Sequence, residues 1–254
     1  MAFDAAATAA RIVAGAELIG SGFPRDLVQI APLSLPVSIV VRSGLTTAAV
    51  EETLAAATGR SSNMLKPRRL RGCLAAHRGF GMIFLDEDDP RLMRFALAHE
   101  LAHFAGHYVV RRELTIARLG TSIIDVLDGV RAPTAQERLA GILTGCHLGA
   151  FADVIAREDG IPLTATAEVM EYEADEAAFL ALAPIGIVIA KTHEREGQVN
   201  RAAVTACLID EFGLSAGDAD RHAPRVVNAV GRARPSFIEQ LRKAASKIEP
   251  ERHM

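Results

Sequence analysis

"RFALAHELAHFAGH", residues 94–107, is the stretch on which the reading of this chain turns. Three histidines, His99, His103 and His107, fall four residues apart among alanine, leucine and phenylalanine, with Glu100 between the first two. The apolar filling predicts a helix. On a helix, positions i and i+4 lie roughly 40° apart around the axis, so His99 and His103 leave from one face. "HELAH" fits the pattern H-E-x-x-H, in which two neutral imidazoles can both reach one zinc ion at about 2.0–2.1 Å. Glu100 is turned by roughly 100° from His99, too far round to be a third ligand. It is placed instead to take the proton from a metal-activated water that attacks a peptide carbonyl. The plain alternative is an apolar helix whose histidines are hydrogen-bonded in the core.

His107 does not complete the site by spacing. It follows His99 by eight residues, whereas the metzincin pattern places the third histidine about ten residues after the first. On a continuous α-helix its Cα lies roughly 12 Å from that of His99. His107 therefore reads as a flank, or as a residue that orients a ligand. A better source for the third ligand is "EYEADEAAFLALAP", residues 171–184. Glu171 and Asp175 share a helix face, and Glu173 points roughly 200° away from Glu171. The pair suggests Glu171 as metal ligand and Asp175 as acceptor for the free N–H of a ligand histidine. Glu173 is the rival for the third position. A solvated acidic face, with Ala174, Ala178, Phe179 and Leu182 packed inward, is the non-metal reading of the same residues.

Outward from the opening helix, "GFGMIFLD" (79–86) reads as a strand, and the acidic turn after it offers Asp88 or Asp89 as cap, with Pro90 in the first turn. "LPVSIVVRSG" (35–44) reads as a strand and "TTAAVEETLAAATG" (46–59) as a helix. Residues 2–20 have helical composition. "KPRRLR" (66–71) reads as an irregular basic stretch, more a solvated loop than a partner contact. Residues 133–158 are expected to form one long helix opening on a capping box, Thr134 with Glu137, and residues 164–184 another. Helical stretches follow at about 198–213, 216–231 and 235–247. Strands gather in the first 90 residues and helices dominate the rest. The expectation is an α+β, mostly helical fold, with a small N-terminal β-sheet packed on the H-E-x-x-H helix. A boundary is placed at 190/191: residues 1–190 as the catalytic domain, carrying a helical insertion at about 110–165, and residues 191–254 as a C-terminal helical segment.

Composition narrows the class. The chain has 254 residues, a net charge of −3, three scattered cysteines without a CxxC pair, two tyrosines and no tryptophan. That balance does not suggest a nucleic-acid binder, and the cysteines do not suggest a disulfide framework. The start lacks a basic flank before its apolar part, and no apolar run reaches the roughly 18–20 residues of a membrane span. A soluble cytoplasmic protein is expected. A cysteine nucleophile is a weak reading, because Cys146 and His147 are adjacent and their side chains diverge on a helix. Donors for an oxyanion could be Tyr108, His147, Tyr172 or His193, and the sequence does not choose among them.

Taken together, "RFALAHELAHF" and "EYEADEAAFLALAP" resemble the ImmA/IrrE-type zinc metallopeptidases, whose signature is F-x-x-A-H-E-x-x-H followed by E-x-E-A-N-x-F-A-x-x-L-L-x-P. "LIDEFGLSAGDADRHAPRV" (208–226) is similar to the helix-turn-helix-like segment often found behind that family's core. The resemblance implies a gluzincin-like endopeptidase with His99, His103 and Glu171 as zinc ligands and Glu100 as catalytic glutamate. Asp175 stands at the usual Asn position, and Ala177 at the usual Phe. Family members typically cut a helix-turn-helix (XRE-type) repressor, so a DNA-binding protein is the implied substrate, without direct nucleic-acid or membrane binding by this chain. The alternative is a non-catalytic module of the same fold that sequesters a repressor or antitoxin-type partner.

Overall fold

The computed structural model describes residues 3–58, 68–146, 148, 151–156 and 165–233. Two compact units divide the chain: Met1–Leu182 with Phe212–Leu214, and Ala183–Glu211 with Ser215–Met254. The division falls after Leu182, earlier than the 190/191 boundary read from the sequence.

The first unit opens with α1 (Ala5–Ile12), capped by the Asp4 side chain on the Ala7 N–H at 2.9 Å, and α2 (Leu27–Ser34), capped by Asp26. Strand β1 (Val37–Val41) and helix α3 (Thr47–Thr58) match the sequence expectation. Strand β2 (Leu70–His77) does not, because it begins inside the basic stretch read as irregular. It turns at Arg78–Gly79 into β3 (Phe80–Leu85). Helix α4 (Pro90–Ala102) starts at Asp89, whose Oδ1 accepts the Arg91 and Leu92 N–H groups at 2.7 and 3.2 Å, with Pro90 in the first turn where no donor is lost. From His103 the helix widens into a π-helix (His103–Val109) and resumes as α5 (Val110–Leu119).

After the short α6 (Ile124–Leu127), α7 (Ala135–Thr144) opens on the expected capping box of Thr134 and Glu137. The long helix expected over 133–158 is not formed. Helix α7 stops at Gly145, which takes the left-handed conformation that ends helices without Cβ strain. Phe151–Ala156 then forms β4. Helix α8 (Ala165–Leu182) follows, ending before Pro184 as expected.

The four strands form one sheet in the order β1-β3-β2-β4, parallel between β1 and β3 and antiparallel elsewhere. The sheet is thus not confined to the first 90 residues, since β4 joins it from far along the chain. Strand alternation gives it two faces. On one, Cys73, Ala75 and Phe84 join Leu45 and Val50 in an apolar cluster. On the other, Gly72 lies against Glu100 of α4, and Gly81 against Phe104 of the π-helix. Helix α4 also packs along α8, and α1 packs on α8. The fold is α+β and mostly helical, as expected from the sequence.

In the second unit, α9 (Ile185–Glu196), α10 (Arg201–Asp210) and α11 (Ala216–Ala233) pack together. Ala219, Ala223 and Val226 of α11 are buried, along with His222. The expected helix at 235–247 lies outside the described residues. No helix among the described residues is long and apolar enough to cross a membrane.

Candidate metal centre

Two helices supply the site. Helix α4 is buried along its whole second half, from Phe95 to Ala102, so His99 and Glu100 sit in the interior rather than on a wet face. Helix α8 crosses it with a stripe of buried small residues, Ala174, Ala177, Ala178 and Ala181. Small side chains let two helix axes approach closely. That closeness carries the short Glu171 carboxyl to the histidines.

The donor atoms converge. His99 Nε2 and His103 Nε2 are 3.0 Å apart, His99 Nε2 is 3.2 Å from Glu171 Oε2, and His103 Nε2 is 3.5 Å from Glu171 Oε1. Four-coordinate bonds of about 2.0–2.2 Å place neighbouring ligand atoms roughly 3.3–3.5 Å apart. Two imidazole nitrogens and a carboxylate oxygen at these separations fit a divalent ion, and this is the group among the described residues that could hold one.

The outer contacts orient the rings so that the right nitrogens face inward. His99 Nδ1 lies 2.9 Å from Asp175 Oδ1. An ionised carboxylate only accepts, so Nδ1 carries the proton and donates it. In the neutral ring, Nε2 then keeps its lone pair on the Glu171 side. His103 uses a longer chain. Its Nδ1 is 3.0 Å from His107 Nδ1, and His107 Nε2 is 3.1 Å from Glu173 Oε2. Glu173 accepts from His107 Nε2–H, so His107 Nδ1 is the acceptor and His103 Nδ1–H the donor. His103 Nε2 is thereby also left with its lone pair. Phe3 stacks on the His107 ring, with centroids 4.7 Å apart, and holds its plane.

Charge balance points the same way. Burial disfavours a charged His99, but hydrogen bonds to Asp175 and Glu171 and the charge of Glu100 overcome it and push its pKa up to about 10. Burial would raise Glu171, yet its hydrogen bonds with His103 and His99 hold it well below the usual carboxylate range. His107 is lowered, first by burial and then by the neighbouring His103, against the pull of Glu173. So many carboxylates around the inner nitrogens stabilise positive charge between them, and a proton or a metal ion can supply it.

The structure therefore brings together His99, His103 and Glu171, with Asp175 behind His99 and Glu100 buried beside the group. Glu173, the rival third ligand from sequence, reaches His107 instead. His107 is kept out of the inner group but turned toward it by the π-helix, which replaces the continuous α-helix assumed from sequence. Sequence reasoning missed Gly72 and Phe3. An isolated glycine in a strand can signal close backbone approach, which is the clue Gly72 offered; Phe3 offered none. Of the oxyanion candidates, Tyr108 accepts the Gly79 N–H at 2.8 Å and is tied to the β2–β3 turn. Tyr172 is exposed on α8, His193 is on α9 of the second unit, and His147 lies outside the described residues. In the basic stretch, Arg71 pairs with Glu87 at 3.1 Å. No protein-family model and no curated protein matches the chain.

Proposed function

We propose that the chain is a zinc-dependent endopeptidase acting on a protein substrate. The observation that carries this reading is the convergence of His99 Nε2, His103 Nε2 and the Glu171 carboxylate, with Glu100 next in sequence to the first ligand and buried beside it. Two imidazoles and one carboxylate are a donor set that suits zinc. When bound, the ion supplies Lewis acidity toward water and toward a peptide carbonyl. The chain's own residues do the rest. Glu100 accepts the proton of the attacking water and returns it to the leaving amine, a task for a carboxylate whose reach is fixed. Asp175 holds the His99 ring, and His107 with Glu173 holds the His103 ring, so both Nε2 atoms stay aimed at one point. The small sheet packs on this helix and fixes Glu100 from the other side. A helix-turn-helix repressor as substrate rests on the family resemblance, and a cytoplasmic setting on the sparse, unpaired cysteines of the sequence.

The test is metal analysis combined with co-expression of a candidate repressor. Purified chain should hold about one zinc, and Glu100→Gln should keep the zinc and lose cleavage by about a hundredfold or more. A chain that holds no zinc, or a Glu100→Gln variant that still cleaves at the wild-type rate, refutes the reading. A stable repressor complex with zinc present and no cut product would favour the sequestering module instead.

A further inference from the structure

We propose that Gly72 is a positioning residue for Glu100: the missing side chain on β2 sets where the buried carboxylate can stand. The proposal rests on the reading of Glu100 as the proton acceptor. A Cβ at Gly72 would lie 2.8 Å from Glu100 Oε1 and 3.6 Å from its Cδ, while Leu85 Cδ2 is also 3.6 Å away. Ordinary contact begins near 3.4 Å. Alanine at this position therefore demands a shift of about 0.6 Å, the difference between 3.4 and 2.8 Å. The atom that must move is the end of a flexible side chain, not backbone. Glu100 is fully buried and cannot swing into solvent, so the shift falls on the carboxylate position itself.

A second feature lies at the same place. The pairing of β2 with β4 runs from Leu70 opposite Ala156 to Gly72 opposite Ile155, leaving Arg71 as an extra residue. Such a bulge bends the strand and re-aims the residues beside it, and bulges recur next to functional sites. Across the other edge Gly72 stays in register with Leu85. The bulge and the glycine together bring bare strand backbone up to the carboxylate. Gly81 does the corresponding packing task one helical turn further on, where a Cβ would meet the Phe104 ring at 2.7 Å, but no titrating group stands there.

The experiment uses full-length Gly72→Ala, Glu100→Ala, Glu100→Gln and the Gly72→Ala/Glu100→Ala double variant, each melted without metal and then loaded with Co(II). Gly72→Ala should lower the melting midpoint by about 2–6 °C in the wild-type background, and by less than half of that once Glu100 is alanine. In the Co(II) form, Gly72→Ala should bind the ion within about threefold of wild type, since no ligand or ring-orienting contact is touched. The pH midpoint of its visible band should move by about half a pH unit or more, in the direction Glu100→Gln moves it. With Glu100 already alanine, Gly72→Ala should move the midpoint no further. Equal melting losses in both backgrounds, or a midpoint the same as wild type, overturn the proposal. A wild-type chain that takes up no Co(II) overturns the metal reading itself. The melting cycle, which needs no metal, tells that failure apart from failure of the Gly72–Glu100 contact.

Discussion

Removing the Asp175 carboxylate tests whether the second ring of contacts does what its geometry implies. Asp175 Oδ1 accepts from His99 Nδ1 at 2.9 Å, and its side chain is 26% exposed. Loss of a carboxylate that orients a ligand histidine typically weakens metal binding by about 10–100-fold, which is roughly 1.4–2.7 kcal/mol. A hydrogen bond to a charged group is independently worth about 1.5–3 kcal/mol. The two ranges overlap, and partial exposure lets water replace part of the contact, so Asp175→Ala should fall near the lower end, at about tenfold. Asp175→Asn keeps an acceptor oxygen and loses only the charge, so it should cost about threefold. The assay is competition for zinc against a chromophoric chelator at fixed pH, with melting measured alongside to confirm the fold. The expected order of affinity is wild type, then Asn, then Ala. An Ala variant within about twofold of wild type, or an Asn variant weaker than Ala, would refute the reasoning that this carboxylate aims His99.

Three further outcomes follow from other contacts. His107→Phe keeps the stacking surface for Phe3 but removes the acceptor for His103 Nδ1–H, so zinc affinity should fall by about tenfold with Glu173→Gln intermediate, both read by the same chelator competition. Gly81→Ala forces a Cβ to 2.7 Å from Phe104 Cδ2 and should destabilise the first unit by about 1–3 kcal/mol in urea denaturation, because that ring is fully buried and cannot yield cheaply. The Glu137 carboxyl is held down to about 2, chiefly by its hydrogen bond from Arg131 and next by the Thr134 backbone N–H. A depressed folded value means its support for α7 is complete above the ordinary carboxylate range and is lost as pH falls through about 2. Amide exchange in Ala135–Thr144 should therefore stay protected at pH 4 and loosen near pH 2, whereas Glu137→Gln should show no such step.

Much of this site was legible because its signals are local. The H-E-x-x-H spacing, the Asp89 cap with Pro90, and the Thr134–Glu137 box each depend on residues within one or two helical turns, and the structure forms the helices they announce. What was not legible depends on partners far along the chain. Strand β2 starts in a basic stretch that looks like a loop, and it is a strand because β3 and β4 pair on either side of it. Residues 151–156 look like the continuation of a helix until Gly145 ends α7 and β2 offers an edge. The π-helix at His103–Val109 has no sequence pattern of its own. Within it Gly106 lies against Phe3, where a Cβ would stand 2.3 Å from that ring.

The three acids of α8 show why spacing alone gave half the answer about which carboxylate meets the histidines. Taking Glu171 as the angular origin, the buried residues Ala174, Ala177, Ala178 and Ala181 cluster around roughly 300° on the helical wheel. Glu171 and Asp175 then fall on one flank of the stripe, at roughly 0° and 40°, and Glu173 on the other, at roughly 200°. The sequence gives these angles but not the direction of the helix beneath. Once α8 lies along α4, one flank stands over His99 and the other over the π-turned His107. Glu171 and Glu173 are thus not rivals for one position. They serve opposite ends of the same histidine row: one carboxylate reaches the inner nitrogens of His99 and His103, and the other reaches His103 only through His107. Exchanging their roles would require turning α8 by roughly 160°, which would lift the buried alanine stripe out of the core. The packing that stabilises the unit is therefore also what decides which carboxylate reaches the inner nitrogens of His99 and His103.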